Sequence, residues 1–443
     1  MTDERNRTGM TGIMRVCANS ALVVTSLVVG ILLCELSLRM VGYTNPGHFQ
    51  SLRTGMAPRF YYEADPVNGH DIAKNFAGDF FLLPDYIRTY NAPFVASSNS
   101  LGCRDRSFNQ EDNYVLLLGD SFTWGYVALE QTWGTTLEQL IGVRVLKCGV
   151  GGYGTRQERH KLKTVVGQAG RPRLVVVGYT PHDLLDDYLY PQRTVVDGYM
   201  VTKIALADVK RGDRTIYSED EIQVRLRSVL EQKSAGFIAG VKDLLAKHSV
   251  LYDRLQQPEA LRRMAARLGL AEPAPSLGDP GIFRSIAEYP WLEQAWKEHL
   301  ENLRQLKSEV EALGATLIVV LLPERPQVYE SLRPHEGDLQ WEYPNQRVTE
   351  FFQREHIAFV DLLPEFRRYA RCNGSSKSDT QEDLYWAHDG HPNVKGNRLA
   401  GFLISRQVLE QPSLEFSDKS RRLSDIDQLL SAEDRCPARK ASL

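Results

Sequence analysis

Apolar runs and amphipathic stretches alternate through the middle of this chain. Residues 114–119 (YVLLLG) are continuously apolar, as a parallel strand buried on both faces requires. Similar runs recur at 144–148 (RVLKC), 173–178 (RLVVVG), 316–322 (TLIVVLL) and 358–361 (AFVD). Helical periodicity separates them. The pattern predicts an α/β domain, residues 113–410, around a mostly parallel five-stranded sheet.

About 137 residues lie between the third and fourth runs, far more than an ordinary crossover needs. Residues 221–232 and 236–248 are amphipathic at helical spacing, and 270–281 is a Pro/Gly-rich linker. In 291–314, Trp296, Leu300, Leu303, Leu306, Val310 and Leu313 share one side of a helix, and Gly314 suits its C-terminal cap. A helical insertion at about 185–290, ahead of that crossover helix, is expected. Residues 43–112 are rich in Gly, Pro, Asn and aromatics, which suggests an extended approach segment packed on the domain. The polar tail, 411–443, reads as loosely packed.

Residues 16–34 contain no charge, and a helix of that length spans about 29 Å, close to the hydrocarbon thickness of a bilayer. The run shows no polar face, no A-x-A cleavage pattern and no small residue before Cys34. It is expected to be an uncleaved transmembrane anchor over 16–38, with residues 1–15 cytoplasmic. Glu35 and Arg39, at i and i+4, can pair at its end. Flanking arginines set the orientation only weakly.

The 443 residues are 42% hydrophobic and 25% charged, with a net charge of −3, and no basic patch interleaved with aromatics points to nucleic acid. Six cysteines, at 17, 34, 103, 148, 372 and 436, form no C-x-x-C pair. Free, mostly buried thiols are the expected state. Oligomeric state is open.

Candidate chemistry gathers where the strands end. Gly119-Asp120-Ser121 follows the first strand and begins a helix, so the hydroxyl sits at the carboxyl edge of the sheet beside free N–H groups. A helix cap would use the same residue types. KCGVGGYGT (147–155), after the second strand, lets backbone approach a ligand closely and lacks the G-K-[ST] of a phosphate loop. GYTPHDLLDD (178–187), after the third, carries His182 and Asp183. HDGHPN (388–393) supplies His391 as a general base for Ser121, with Asp389 to orient it. Trp124, Tyr153 and Asp183 could line an acyl or sugar pocket. Arg104 and Asp105 could pair with each other, and Asp361 should cap the helix after the fifth strand.

These four blocks resemble those of the SGNH/GDSL hydrolase family over roughly residues 60–410. Within it, the ELSLR at 35–39 and SNSLGCRD at 98–105 are similar to bacterial membrane-anchored members. The resemblance implies a three-layer α/β/α flavodoxin-like fold and Ser121 as nucleophile. It implies Gly152 N–H beside the Ser121 N–H in the oxyanion hole, and His391 as base. It further implies ester-bearing carbohydrate or lipid substrates, no metal or organic cofactor, and a catalytic domain in the periplasm or outside the cell. Two positions depart from the family pattern. His182 stands where the family presents an oxyanion-hole Asn, and Asp389 lies two residues before the base rather than three. Three alternatives accompany the esterase: an O-acyltransferase acting on a cell-surface polysaccharide, a non-catalytic binding protein, and a metallohydrolase on His182, Asp183, His388 and His391. No recognisable metal motif supports the last.

Overall fold

The computed structural model describes residues 3–40, 58–80, 86, 89–90, 92–109, 113–231, 245, 249–255, 280–330, 333, 339–372, 384–386, 390–412 and 414–433. The chain forms two units, one of residues 1–51 with 233–274 and the other of residues 52–232 with 275–443.

In the first unit, one helix runs from Asp3 to Met40. Within Asn19–Met40 an 18-residue window has a mean hydropathy of 2.3 and no buried residues, so the segment is long and apolar enough to cross a membrane. The expected Glu35–Arg39 pair is present at 2.8 Å. The same carboxylate accepts the Ser249 hydroxyl and the N–H groups of Val250 and Leu251 at 2.8–2.9 Å, which caps the helix Val250–Leu255. Most of 236–248 and of the linker 270–281 lies outside the described residues.

The second unit holds the sheet. Its strands are β1 (Val115–Gly119), β2 (Val145–Lys147), β3 (Leu174–Tyr179), β4 (Thr316–Leu321) and β5 (Ala358–Asp361). All are parallel, in the order 2-1-3-4-5. That is the flavodoxin-like order, with its switch point between β1 and β3. Side-chain parity divides the core. Leu116, Leu118, Val175, Val177 and Val319 face one layer with Leu162, Leu303 and Phe351. Val115, Leu117, Leu174, Val176 and Val320 face the other with Leu137, Leu399 and Ile404. The helices α1 (Trp133–Ile141), α2 (Thr155–Ala169), α3 (Trp291–Ala312), α4 (Tyr343–Arg354) and α5 (Val394–Glu410) form the two outer layers. Burying one such aliphatic side chain stabilises the fold by about 1.5–3 kcal/mol. Asp361 caps the next helix as expected, accepting the Leu363 N–H at 3.0 Å.

Three expectations need correction. The insertion is not helical throughout: residues 193–216 form two antiparallel hairpins, Arg193–Val196 with Tyr199–Thr202 and Ile204–Asp208 with Asp213–Ile216. The first turns at Asp197-Gly198, both at positive φ, the geometry a two-residue hairpin turn needs. The approach segment likewise pairs, Tyr62–Asp65 with Gly69–Ile72 and Ala77–Phe80 with Phe94–Ser97. The tail carries a docked helix, Lys419–Glu433, because Ile426, Leu423 and Leu430 recur at helical spacing and join the core beneath α5. Finally, Cys103 and Cys148 form a disulfide, while Cys34 is free and exposed.

Candidate active site

Gly119 ends β1 at φ +144, and a Cβ there would stand 2.1 Å from Thr123 Oγ1. Only glycine lets the chain turn so sharply into the short helix Ser121–Trp124. Asp120 caps that helix, accepting the Phe122 N–H at 2.8 Å, so Ser121 starts it with its hydroxyl at the sheet edge. The turn bearing His391 is pinned by Gly390 N–H to Trp386 O and Trp386 N–H to His391 O, both 2.9 Å. Asn393 then caps α5 through the Gly396 N–H. These two local structures bring residues 270 positions apart together: the Ser121 Oγ lies 2.8 Å from His391 Nε2.

They meet in a cleft of about 220 Å³, whose walls include Tyr62, Phe80, Trp124, Tyr126, Gly151, Gly152, His182, Gln192, Arg193 and Glu324. Gly152 (φ +75) follows Val150, whose N–H reaches back to Gly119 O at 2.9 Å, so the glycine loop hangs from the end of β1. His70 fixes this loop, donating Nε2–H to Gly151 O at 2.9 Å. Burial lowers the His70 pKa to about 4, which keeps the ring neutral.

The Tyr126 ring stacks on the His391 ring, with centroids 3.9 Å apart and planes at 23°. Tyr126 is itself set by a buried cation. Arg104 donates to Trp124 O at 2.6 Å and to Gly125 O and Val127 O, and its guanidinium lies 3.8 Å from the Trp124 ring centroid. The expected Arg104–Asp105 pair is therefore absent. Asp105 instead takes Arg144 at 3.0 Å and Lys147 at 3.4 Å. Three converging carbonyls offered the guanidinium more acceptors than one neighbouring carboxylate.

His182 reaches the cleft, with Nδ1 2.7 Å from Glu324 Oε1 in an ion pair. Burial opposes its charge, but the Glu324 carboxylate outweighs it, and the pKa rises to about 9. At neutral pH the group in the Asn position is an imidazolium. Beneath it lies a buried acidic cluster. Burial raises Asp120 to about 6 and pushes Asp183 and Glu158 well above the usual carboxylate range. The Thr180 hydroxyl sits 3.0 Å from Asp120 Oδ2 and 3.2 Å from Asp183 Oδ1. It has one proton to give, so protonated Asp183 can donate to it while it donates to Asp120. Neither oxygen of Glu158 has a hydrogen-bond partner among the described residues.

Ser121, His391, Gly152, His182 and Trp124 thus border one cleft. Asp183 lies behind it, fully buried. Tyr153 is also buried, its hydroxyl donating to His70 O at 2.7 Å. Asp389 and His388 lie outside the described residues. No cluster of metal-ligating side chains occurs among the described residues. Sequence reasoning missed Tyr62, His70, Tyr126, Arg193 and Glu324, which come from four separate segments, Tyr62 and His70 sharing one hairpin. Only the Asp197-Gly198 turn, which places Arg193 on a hairpin, carried a readable signal.

No protein-family profile and no curated protein matches the sequence. The chain resembles solved G-D-S-L family structures. A putative lipolytic protein of that family from Desulfitobacterium hafniense is 12% identical, with 67% of this chain and 99% of that chain covered, at a TM-score of 0.30. A member from Veillonella parvula is 12% identical, covering 69% and 100%, at 0.33. An acetylxylan esterase from Geobacillus stearothermophilus is 13% identical, covering 69% and 96%, at 0.31. At such scores the fold assignment rests on the strand order within this chain.

Proposed function

We propose that this chain is a serine ester hydrolase of the SGNH/GDSL type, acting on acyl or acetyl esters of carbohydrates or lipids. The contact between Ser121 Oγ and His391 Nε2 at the carboxyl edge of the sheet carries the reading. His391 takes the Ser121 proton as the oxygen attacks the ester carbonyl. The carbonyl oxygen becomes an oxyanion, received by the N–H groups of Ser121 and Gly152 and by the His182 imidazolium. His391 passes its proton to the departing alkoxide, and the acyl group stays on Ser121. Water, deprotonated by His391, then releases the acid. Asp389 is assigned to orient His391.

The apolar N-terminal helix serves as a membrane anchor, with the catalytic unit outside the cytoplasm. The Cys103–Cys148 disulfide supports that placement, since such bonds persist in oxidising compartments.

The test is hydrolysis of 4-nitrophenyl acetate and butyrate by the full-length chain in detergent. Ser121→Ala and His391→Ala should each lower kcat by at least about 10³-fold. Turnover unchanged in folded Ser121→Ala protein refutes the mechanism.

A further inference from the structure

Arg193 stands at the start of the first insertion hairpin, and its backbone is clamped. A Cβ on Gly69 would lie 2.1 Å from Arg193 O, so the approach-segment hairpin meets it at glycine-only distance. Its side chain crosses the cleft to Gly152, with Nη1 occupying the space 1.5 Å from where a Cβ on that glycine would be. Gly152 thus admits the guanidinium beside the oxyanion loop.

Among the described residues this guanidinium pairs with no carboxylate and donates no hydrogen bond. An arginine held in a cleft with unused donors is matched by a planar, bidentate oxyanion acceptor. The charges nearby agree. Glu324 is committed to His182. Asp186, also on the cleft wall, is raised from the ordinary aspartate value by burial, against the pull of Arg193 and His182. Next to Arg193, Gln192 lines the same wall with a buried Oε1 that has no donor among the described residues and can accept one. A guanidinium beside an amide acceptor suits a carboxylate flanked by hydroxyls, as on an acidic sugar. A carboxylate at the end of a short acyl chain offers the same charge.

We propose that Arg193 forms a carboxylate-binding subsite next to Ser121, so that the preferred ester is carried by, or transfers, an anionic group. This rests on the serine-hydrolase reading. Catalysis follows the same steps, and Arg193 acts by holding the substrate's charge.

Two matched pairs of esters distinguish the sources. One compares 3-O-acetyl methyl glucuronoside with its glucoside. The other compares 4-nitrophenyl hydrogen succinate with 4-nitrophenyl pentanoate. In one pair the charged member should have the higher kcat/KM by about 10–100-fold, the range of a charge-assisted contact. Arg193→Gln should collapse that ratio, and Arg193→Lys should restore part of it. Because a ratio is read within each variant, a general loss of fold cancels. No charge preference in either pair, or a preference retained by Arg193→Gln, overturns the subsite. If no ester is turned over, the hydrolase reading has failed separately. The subsite then stands or falls on calorimetry of glucuronate and succinate with the Ser121→Ala chain: binding abolished by Arg193→Gln supports it, and no binding overturns it.

Discussion

Replacing Glu324 by glutamine changes the charge beside His182 and little else. Gln is the same size and still sets an oxygen against His182 Nδ1, which lies 2.7 Å from Glu324 Oε1 in the native ion pair. What it removes is the carboxylate that lifts the His182 pKa to about 9. Without it the imidazole falls back toward its ordinary value near 6.5, burial lowering it while the Asp186 and Asp120 carboxylates still raise it. At pH 8 roughly 90% of His182 is protonated in the native protein and roughly 3% in the variant. If the imidazolium receives the oxyanion, kcat/KM at pH 8 should therefore fall about 30-fold. At pH 6 both forms are largely protonated, so the rates should agree within about 2-fold. The assay is a pH profile of 4-nitrophenyl acetate hydrolysis from pH 6 to 9.5, with Ser121→Ala as the blank. Profiles of native and Glu324→Gln protein that superimpose at pH 8 would refute a role for the charge. Stability carries the same sign. A base whose folded pKa is raised stabilises the fold below its unfolded pKa, here about 6.5, and loses that contribution as pH rises through about 9. The His182 side chain is 43% exposed, so solvent screening reduces the contribution to about 1 kcal/mol.

Arg104→Met should destabilise the catalytic unit by about 3 kcal/mol, read as a lowered thermal midpoint. Three buried carbonyls lose their donor, and shedding a buried cation offsets part of that. It should also slow turnover, because Tyr126 loses its support against His391; unchanged stability would show that the carbonyls find other donors. Reducing the Cys103–Cys148 bond, or the double Ser variant, should cost about 4 kcal/mol by chain entropy for a sequence separation of 45. A melting temperature indifferent to reductant would show that the bond does not form.

The misread elements share a cause. A hairpin's period-2 pattern is short, and in 193–216 it adjoins a long helical pattern, so the helix dominated the reading although Asp197-Gly198 marked a turn. The tail helix has few apolar residues, and their value depends on the groove beside α5 that receives them. The disulfide joins a loop cysteine to one at the end of β2, and spacing along the chain does not reveal such a pairing.

By itself the sequence determined the five sheet strands, the crossover helix α3, the apolar N-terminal helix and the two blocks that carry Ser121 and His391. Each depends on local periodicity, or on short-range turn and cap chemistry that acts within a few residues. Tertiary structure decided the rest of the site. It set Tyr126 on His391, Arg104 on three carbonyls, Glu324 against His182 and Arg193 over Gly152. Those contacts join residues far apart in the chain. A side chain's charge state and partners depend on what the fold brings within a few ångströms, and no local pattern encodes that.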